Sequence, residues 1–244
     1  MTAVIGLPPG AVHTFSMDRL RGSPWTARST VAGFVDAPPN DTLLALAARE
    51  RARGAMSAVD IGCGAGRNLV PLAREGWTIV GVDLSGPMID AAAQRLEAER
   101  LSSRADLSLA PMDALPVASR TIDLIIAHGI WNLAGSGAEF RRAVAEAGRV
   151  ARKDAVLFVF TFSRRTLESS ARPLAGESFV FTGISGQPQC FLTEEQLIAE
   201  LAAAHFVPDP SVPLREHNVP RPGAIRAANV PIILEAAFRF AGVR

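Results

Sequence analysis

The stretch that decides the fold is Ala58-Val-Asp-Ile-Gly-Cys-Gly-Ala-Gly-Arg-Asn68. It opens with a short apolar run interrupted only by Asp60, and three glycines then alternate at 62, 64 and 66. Apolar residues recur at helical spacing after them, up to Gly76, so the pattern predicts a strand, a tight turn and a helix. Glycines in such a turn permit positive φ and close approach of a ligand to the backbone, and the free N–H groups of the next helix give it a positive end. A nucleotide-like ligand fits this turn.

The glycine spacing narrows the choice of nucleotide. A dinucleotide-binding fingerprint, Gly-x-Gly-x-x-Gly, needs its third glycine at position 67, where this chain has Arg67. The stretch from Val59 to Arg67 instead resembles the first motif of class I S-adenosylmethionine-dependent methyltransferases. That resemblance implies that Asp60 lies near the positively charged methionine end of the cofactor. It also implies that the turn residues Gly62, Cys63 and Gly64 border the cofactor.

A second acidic residue follows the next predicted strand. Trp77 to Asp83 is a nearly continuous apolar run, typical of a buried parallel strand. A carboxylate at the carboxyl end of the second strand is placed to accept both hydroxyls of a ribose, and Leu84 beside it can pack on an adenine face. Nicotinamide enzymes and methyltransferases share this device, so Asp83 alone does not discriminate between them.

The resemblance continues after the third predicted strand, at 106–110, in Pro111-Met-Asp-Ala114. In the resembled family an acidic residue with a small neighbour binds adenine here, which implies cofactor contacts for Met112, Asp113 and Ala114. The carboxylate would accept a hydrogen bond from the exocyclic amino group. An ordinary Asx-type turn at Asp113 is the alternative.

The fourth predicted strand, 121–127, leads into His128-Gly-Ile-Trp-Asn132. Many methylases of base or amide nitrogen carry an Asn-Pro-Pro-Tyr type of motif at this point, and this chain does not. His128 is the candidate general base, needed only if the acceptor keeps its proton; the alternative is that its backbone touches the methionine end of the cofactor. Trp131 and Trp25 are the candidate substrate contacts, and weaker candidates for the base are His13, Glu216 and His217.

The composition and the net charge limit the kinds of protein that this chain can be. The 244 residues, 48% hydrophobic and 20% charged, suit one globular domain with elaborations. A formal net charge of +1 gives no reason to expect nucleic acid or an anionic membrane as partner. Two cysteines are too few for a disulfide framework or a metal cluster. With no signal peptide or membrane span in the sequence, we expect a cytoplasmic protein that binds no metal.

Strand and helix patterns alternate from 58 to 162, which predicts a parallel sheet with helices on both faces. The resemblance implies an α/β, Rossmann-like doubly wound sheet, mostly parallel, of seven strands with the last antiparallel. A capping box at Thr193 starts the last predicted helix, and the last two strands are expected at 206–217 and about 230–240. We expect residues 1–40 to form an arm, either a flap over the ligands or plain surface. Residues 41–244 would form the main domain, with an inserted lid or substrate segment at about 163–192.

The predicted activity is transfer of a methyl group from S-adenosylmethionine to an O, N, S or C nucleophile of a small-molecule acceptor, with S-adenosylhomocysteine as product. A non-catalytic module that binds S-adenosylmethionine or a nucleoside is one alternative. A nicotinamide-dependent oxidoreductase is another, disfavoured by Arg67. The acceptor and the oligomeric state stay open.

Overall fold

The computed structural model describes residues 24–221 and 230–242. Predictions that fall on residues 1–23, including the candidate base His13, lie outside the described residues.

A mixed sheet of eight strands forms the centre of the protein, in the order β3-β2-β1-β4-β5-β10-β8, with β9 pairing to β10 as well. Strands β1 to β5 pair in parallel, and β10 is antiparallel to β5. This architecture confirms the predicted Rossmann-like, mostly parallel sheet with an antiparallel last strand. The described strands are β1 Ser57–Ile61, β2 Thr78–Asp83, β3 Ala105–Leu109, β4 Ile122–His128, β5 Ala151–Phe162, β6 Val180–Phe181, β7 Gln189–Cys190, β8 Phe206–Pro208, β9 Arg215–His217 and β10 Ile233–Phe240.

The sheet has one strand more than the seven expected, because the strand predicted at 206–217 is broken into two pieces. Strand β8 pairs with the C-terminal part of β10 and β9 with its N-terminal part. The chain between β8 and β9 contains Pro210 and Pro213, which have no backbone N–H to donate to a ladder. The two short strands together occupy the seventh position of the sheet, at the edge beside β10.

Helices cover both faces of the sheet and begin at residues suited to cap them. Side chains of Asn40, Ser85, Ser136 and Thr193 each accept a hydrogen bond from a first-turn amide, and Thr193 forms the predicted capping box with Gln196. The described helices are α1 Arg28–Asp36, α2 Asp41–Ala52, α3 Leu69–Arg74, α4 Gly86–Ala98, α5 Gly137–Val150 and α6 Glu194–Ala202.

Alternate residues of β4 pack into two separate cores, which fixes the register of the sheet. Leu124 and Ile126 join the cluster beneath α2 and α3, whereas Ile125 and Ala127 join the cluster beneath α5 and α6. A slip of one residue would exchange the two faces, so burial on both sides strongly specifies the pairing. The parallel strands therefore all end at one edge, where the functional residues are expected.

The segment at 163–192, predicted as a lid or substrate segment, is anchored in the core by its aromatic residues. Its short strands β6 and β7 form a hairpin, and Phe179 and Phe191 are fully buried. The ring of Phe179 lies 5.3 Å from that of Phe140 on α5, and the ring of Phe191 lies 5.4 Å from that of Phe162. The longest exposed run of the segment is its tip at 182–187, and 168–170 and 174–176 are exposed as well. The aromatic residues that suggested a loose cover are thus packing residues.

Among the described helices, none is both long enough and apolar enough to cross a membrane.

Candidate functional site

The glycine turn joins β1 to α3 and lies against two neighbouring strands. The amides of Gly62 and Cys63 both donate to the carbonyl of Val82 on β2, at 2.7 and 2.9 Å. Gly62 has φ +71, and a Cβ there would lie 2.7 Å from the side chain of Ile130, which follows β4. Only glycine fits this conformation and this contact. The turn is therefore locked between the carboxyl ends of β2 and β4.

Asp83 ends β2 beside this turn and is held by backbone amides. Its Oδ2 accepts from the amide of Gly64 at 2.9 Å, and its Oδ1 accepts from the amide of Ser85 at 2.8 Å. Burial raises the pKa of Asp83 above its ordinary 3.8, and the amides partly oppose that rise. A carboxylate has about four acceptor positions, so both oxygens keep capacity for a further donor such as a ribose hydroxyl.

Asp60, on β1, is a buried carboxyl group close to Asp83. It is only 2% exposed, and burial raises its pKa to about 7, with the charge of Asp83 adding to the rise and that of Arg67 opposing it. Because a buried carboxylate is costly without a counter-charge, a cationic ligand at this point would relieve the cost. The structure brings Asp60 and Asp83 to the same edge of the sheet.

His128 ends β4 with its ring packed between protein groups. The ring stacks on Phe160 at 4.2 Å between centroids, and its Nε2 faces Nη2 of Arg67 at 3.3 Å and Nδ2 of Asn40 at 3.4 Å. Both neighbours are donors, so Nε2 is the acceptor and Nδ1 carries the proton. Burial and the charge of Arg67 lower the pKa of His128 to about 4. The ring is thus neutral with its lone pair already engaged, an arrangement that favours packing and positioning over proton abstraction.

Arg67 is a functional candidate that the sequence reasoning missed, having treated it only as a mismatch to the dinucleotide fingerprint. Its guanidinium is half-buried, and burial lowers its pKa, with the charge of Asp60 opposing the decrease. Its Nε is buried, with no hydrogen-bond partner in the described part of the chain. An available buried donor beside Asp60 marks a place for an anionic ligand group. The signal in the sequence that could have identified Arg67 is its position as a cationic residue directly after the third glycine of the turn.

A buried polar network extends from this edge to β10. Asn40 Nδ2 donates to Oε2 of Glu235 at 2.8 Å, and Oε1 of Glu235 lies 3.1 Å from Nε2 of His217 on β9. Glu235 is only 3% exposed. The same Asn40 amide contacts His128, so the network joins β4, β9, β10 and the start of α2. No local motif announces these contacts, since Asn40 and Glu235 are 195 positions apart.

The loop predicted to bind adenine lies beside Asp83. The amide of Ala110 donates to the carbonyl of Asp83 at 3.1 Å, and the carboxylate of Asp113 accepts from Nε of Arg142 on α5 at 3.0 Å. Met112 is partly buried against the core, whereas Ala114 is exposed. The loop is therefore adjacent to the glycine turn, and its contact with adenine stays a prediction.

Two other predicted cofactor contacts differ in their surroundings. Leu84 is 37% exposed next to Asp83 and is available to a ligand. Cys63 is 5% exposed and belongs to the core cluster beneath α3. Only the backbone of Cys63 can border a ligand, because its side chain points into the protein.

The arm before α2 lies on the glycine turn. A Cβ on Gly64 would come within 3.1 Å of the ring of Phe34 on α1, and Phe34 meets Trp25 edge to face at 5.8 Å. The hydroxyl of Ser85 donates to the carbonyl of Trp25 at 2.9 Å. Trp25 therefore lies beside Asp83 and α4, on the side expected for the cofactor, and this placement gives no support to its predicted contact with an acceptor.

Trp131 is placed differently from the sequence prediction. It begins a short 3-10 helix, Trp131–Leu133, that turns its ring into the core, where it is fully buried against Phe140 at 5.9 Å. A ring in this position cannot touch an acceptor, which corrects the expectation drawn from its place after β4.

Comparison with known proteins agrees with this geometry. Residues 59–159, from β1 into β5, match the family model described as a methyltransferase domain. The matched stretch contains the glycine turn, Asp60 and Asp83. A curated relative, the ubiquinone biosynthesis O-methyltransferase of Azorhizobium caulinodans, is 30% identical over 152 residues, covering 61% of this chain and 57% of the relative. The matches span about half the length of the curated relatives.

Solved structures share this fold over most of the chain. The 1,6-didemethyltoxoflavin-N1-methyltransferase of Burkholderia thailandensis, solved with S-adenosylhomocysteine, has a TM-score of 0.65 at 19% identity and covers 98% of this chain and 94% of its own. The [4+2]-cyclase SpnF has a TM-score of 0.56 at 24% identity and covers 75% of this chain and 63% of its own. At these identities the likeness establishes the fold alone.

Proposed function

We propose that the protein transfers a methyl group from S-adenosylmethionine to a hydroxyl of a small-molecule acceptor. The observation that carries the proposal is the gathering of Asp60, Arg67 and Asp83 around the glycine turn at one edge of the sheet. This set offers complementary groups to each polar part of the cofactor. The buried carboxyl group of Asp60 suits the cationic methionine end of the cofactor, and the buried N–H of Arg67 suits the carboxylate at that same end. The carboxylate of Asp83 suits the ribose.

The residues divide between the two ends of the cofactor. Asp60 would face the ammonium and sulfonium groups, and Nε of Arg67 would donate to the methionine carboxylate. Asp83 would accept from the ribose hydroxyls. Met112, Asp113 and Ala114 would border the adenine, with Leu84 on its face. All of these groups are present on the correct strands for the fold, which supports the assignment.

The donor supplies a methyl group already activated by the positive charge on sulfur. The contribution of the protein is then alignment of the acceptor and exclusion of water. The arm is suited to the second task, because Phe34 lies directly over Gly64 and Trp25 extends the cover to Ser85. An aromatic cover over the turn would keep the reacting groups away from solvent.

A small hydroxyl-bearing acceptor is supported by two observations. The net charge of +1 provides no broad cationic surface for nucleic acid, and the relative from Azorhizobium caulinodans is named for O-methylation. On the side of the edge away from Asp83, the rings of His128 and Phe160 stack at 4.2 Å. Their partly open aromatic edge suits a flat acceptor, so we propose a phenolic hydroxyl as the methyl acceptor.

A methyl-transfer assay tests the proposed activity. Purified protein is incubated with S-adenosylmethionine labelled on the methyl carbon and with separate pools of phenols, amines and thiols. We expect label to appear in the phenol pool and S-adenosylhomocysteine to form in equal amount. Transfer only to amines or thiols would contradict the hydroxyl assignment, and absence of transfer from every pool would contradict the activity.

A second candidate function keeps the cofactor site but not the methyl transfer. It is favoured by the similarity of the fold to the [4+2]-cyclase SpnF, a protein named for a cyclisation and not for a methylation. The buried Nε2 of His128 faces two donors, so this histidine beside the proposed cofactor is not available as a base. Tight binding of S-adenosylmethionine without transfer to any of the three pools would favour this candidate.

Replacing the ribose carboxylate should weaken cofactor binding without unfolding the protein. Asp83→Ala removes the acceptor that Gly64 and Ser85 hold in place, and we expect S-adenosylmethionine to bind about 1–3 kcal/mol more weakly. Calorimetric titration of wild type and variant measures the difference, with Asp106→Ala, an exposed aspartate on β3, as control. Equal dissociation constants for a folded Asp83→Ala variant would contradict the ribose assignment.

Ligand binding should protect the arm more than the 163–192 segment. Residues 24–36 lie on the turn through Phe34 and Trp25, whereas the aromatics of 163–192 are already core. We expect S-adenosylhomocysteine to slow amide exchange in 24–36 and to leave β6 and β7 unchanged. Hydrogen exchange read by mass spectrometry measures both segments in one experiment. Protection confined to the glycine turn and the strand ends would show that the arm is passive surface.

A further inference from the structure

We infer that His217, held by the buried carboxylate of Glu235, is the base that accepts the proton of the acceptor hydroxyl. This inference rests on the proposed methyl transfer and names the group that completes it. The structure presents two histidines at the carboxyl edge of the sheet, and their surroundings differ in ways that separate their roles.

The hydrogen bond between the two residues sets the tautomer of His217. A carboxylate can only accept, so the contact of 3.1 Å between Nε2 and Oε1 of Glu235 requires the proton on Nε2. The lone pair of a neutral His217 ring is then on Nδ1, which has no hydrogen-bond partner within residues 24–221 and 230–242. This is the reverse of His128, whose Nε2 lone pair already faces Arg67 and Asn40.

Glu235 is itself fixed, which makes it suitable for orienting a base. It is only 3% exposed, and its second oxygen accepts from Nδ2 of Asn40 at 2.8 Å. The backbone after His217 is fixed as well, since Nδ2 of Asn218 donates to the carbonyl of Pro231 at 3.0 Å. A rigid carboxylate behind an imidazole holds the ring in one orientation and stabilises the imidazolium that forms on proton uptake.

His217 is accessible from the side where an acceptor must enter. Its side chain is 44% exposed, whereas that of Glu235 is 4% exposed. The sheet order puts β2 and β1 under the proposed cofactor and β5, β10 and β9 on the other side of β4. An in-line displacement requires the nucleophile to approach opposite the leaving sulfur, so the open side towards β10 is the side available for the acceptor.

Aromatic rings connect the two regions. The ring of Phe160 stacks on His128 at 4.2 Å and lies 6.5 Å from the ring of His217. Other charged groups nearby are Arg215 and Glu216 on the same strand, and the carboxylate of Glu216 is turned away to Ser163 and Arg165. A flat phenol lying along Phe160 would present its hydroxyl between the cofactor edge and Nδ1 of His217.

The proposed step balances as a single displacement. The hydroxyl proton passes to Nδ1 of His217 while the oxygen forms a bond to the methyl carbon. The bond from that carbon to sulfur breaks, and its electron pair stays on sulfur, which becomes the neutral thioether of S-adenosylhomocysteine. The proton then leaves His217 for solvent, and no oxidant or further reactant is needed.

The experiment compares two phenols of different acidity. Catechol keeps its hydroxyl proton at neutral pH, whereas 4-nitrocatechol is largely ionised at about pH 8 and needs no base. The variant His217→Gln keeps a donor for Glu235 but removes the titratable ring. We expect it to lower kcat/KM for catechol by about 100- to 10,000-fold and kcat/KM for 4-nitrocatechol by only a few-fold. The dissociation constant of S-adenosylmethionine should stay unchanged.

The matched control is His205→Gln, a histidine at the opposite edge whose ring meets Phe240, which should leave both rates at wild-type values. If His217→Gln does not fold, Glu235→Gln carries the test, with a loss of about tenfold confined to catechol. An equal loss for both phenols, or no loss, would overturn the assignment of the base. Wild-type protein that binds the cofactor but methylates neither phenol would overturn it together with the phenol assignment, whereas failure to bind the cofactor would overturn the proposed function itself.

Discussion

Gly64→Val should abolish binding of S-adenosylhomocysteine while leaving the sheet folded. Gly64 has φ +53, and any Cβ there comes within 3.1 Å of the ring of Phe34. Its amide also holds Oδ2 of Asp83 at 2.9 Å. A branched side chain would occupy the space beside that carboxylate and push the arm off the turn. We expect a loss of affinity of at least about a hundredfold, equivalent to about 2.7 kcal/mol or more, measured by calorimetry.

The control for backbone strain is Gly54→Val. Gly54 follows α2, has φ +97 and has open space where a Cβ would stand, so the substitution imposes strain of about 1–2 kcal/mol without blocking a ligand. Its affinity for S-adenosylhomocysteine should match wild type. If a folded Gly64→Val protein binds as tightly as Gly54→Val, the glycine turn is not the cofactor site.

Asp60→Asn should stabilise the empty protein and weaken cofactor binding at the same time. Burial, then the charge of Asp83, raises the pKa of Asp60 from 3.8 to about 7, so the folded protein holds this proton more tightly than the unfolded chain. Wild type therefore loses stability as the pH rises from about 4 to 7, and the loss is constant above that range. Asparagine is neutral throughout, so we expect a gain on the order of 1–3 kcal/mol at pH 8 and a smaller gain at pH 5.

Binding should respond to the same substitution in the opposite direction. The cationic cofactor favours the ionised form of Asp60. Wild-type affinity for the cofactor should therefore increase by up to about tenfold for each unit of pH as the pH increases towards 7, and stay constant above pH 7. Asp60→Asn should bind roughly ten- to a hundredfold more weakly at pH 8 and lose this pH dependence. Urea unfolding and calorimetric titration at pH 5.5 and 8 measure the two effects.

Asp123→Asn provides a control of opposite sign. Asp123 lies at the start of β4, where burial raises its pKa but hydrogen bonds from Met56 and Ser57 and the charge of Arg152 lower it overall. This carboxylate therefore contributes stability that is present above about pH 4 and lost below its folded pKa. Its replacement should destabilise the protein at pH 8 and leave cofactor affinity unchanged. A stabilising Asp123→Asn, or a destabilising Asp60→Asn, would contradict the electrostatic account of this edge.

The sheet and the cofactor edge could be predicted from sequence because their signals are local. Each of β1, β2 and β4 is a short apolar run, and buried parallel strands need little else. Asp60 and Asp83 stand at the ends of such runs, and parallel strands bring their carboxyl ends together. The eighth strand was not predicted, because it arises when the strand expected at 206–217 divides into β8 and β9. The prolines there indicate a weak strand, but they do not indicate whether it divides.

The rest of the candidate site depends on contacts between distant residues. The network that joins Asn40 to Glu235 spans 195 positions, and nothing near either residue marks it. The burial of Trp131 follows from a 3-10 turn that directs its ring towards Phe140. The sequence does not specify whether such a turn directs its side chain into the core or towards the ligand. The aromatics of 163–192 showed no periodic pattern, so their packing on α5 was not visible either.

The measurement that tests the central claim most directly is calorimetric titration of the wild-type protein with S-adenosylhomocysteine, with NADH titrated in parallel. A buried carboxyl group, an available arginine N–H and a ribose acceptor at one edge predict one site per chain with a dissociation constant of about micromolar or tighter, and no heat with NADH. Binding of NADH, or absence of binding by S-adenosylhomocysteine, would contradict the claim that this edge is a methyltransferase cofactor site.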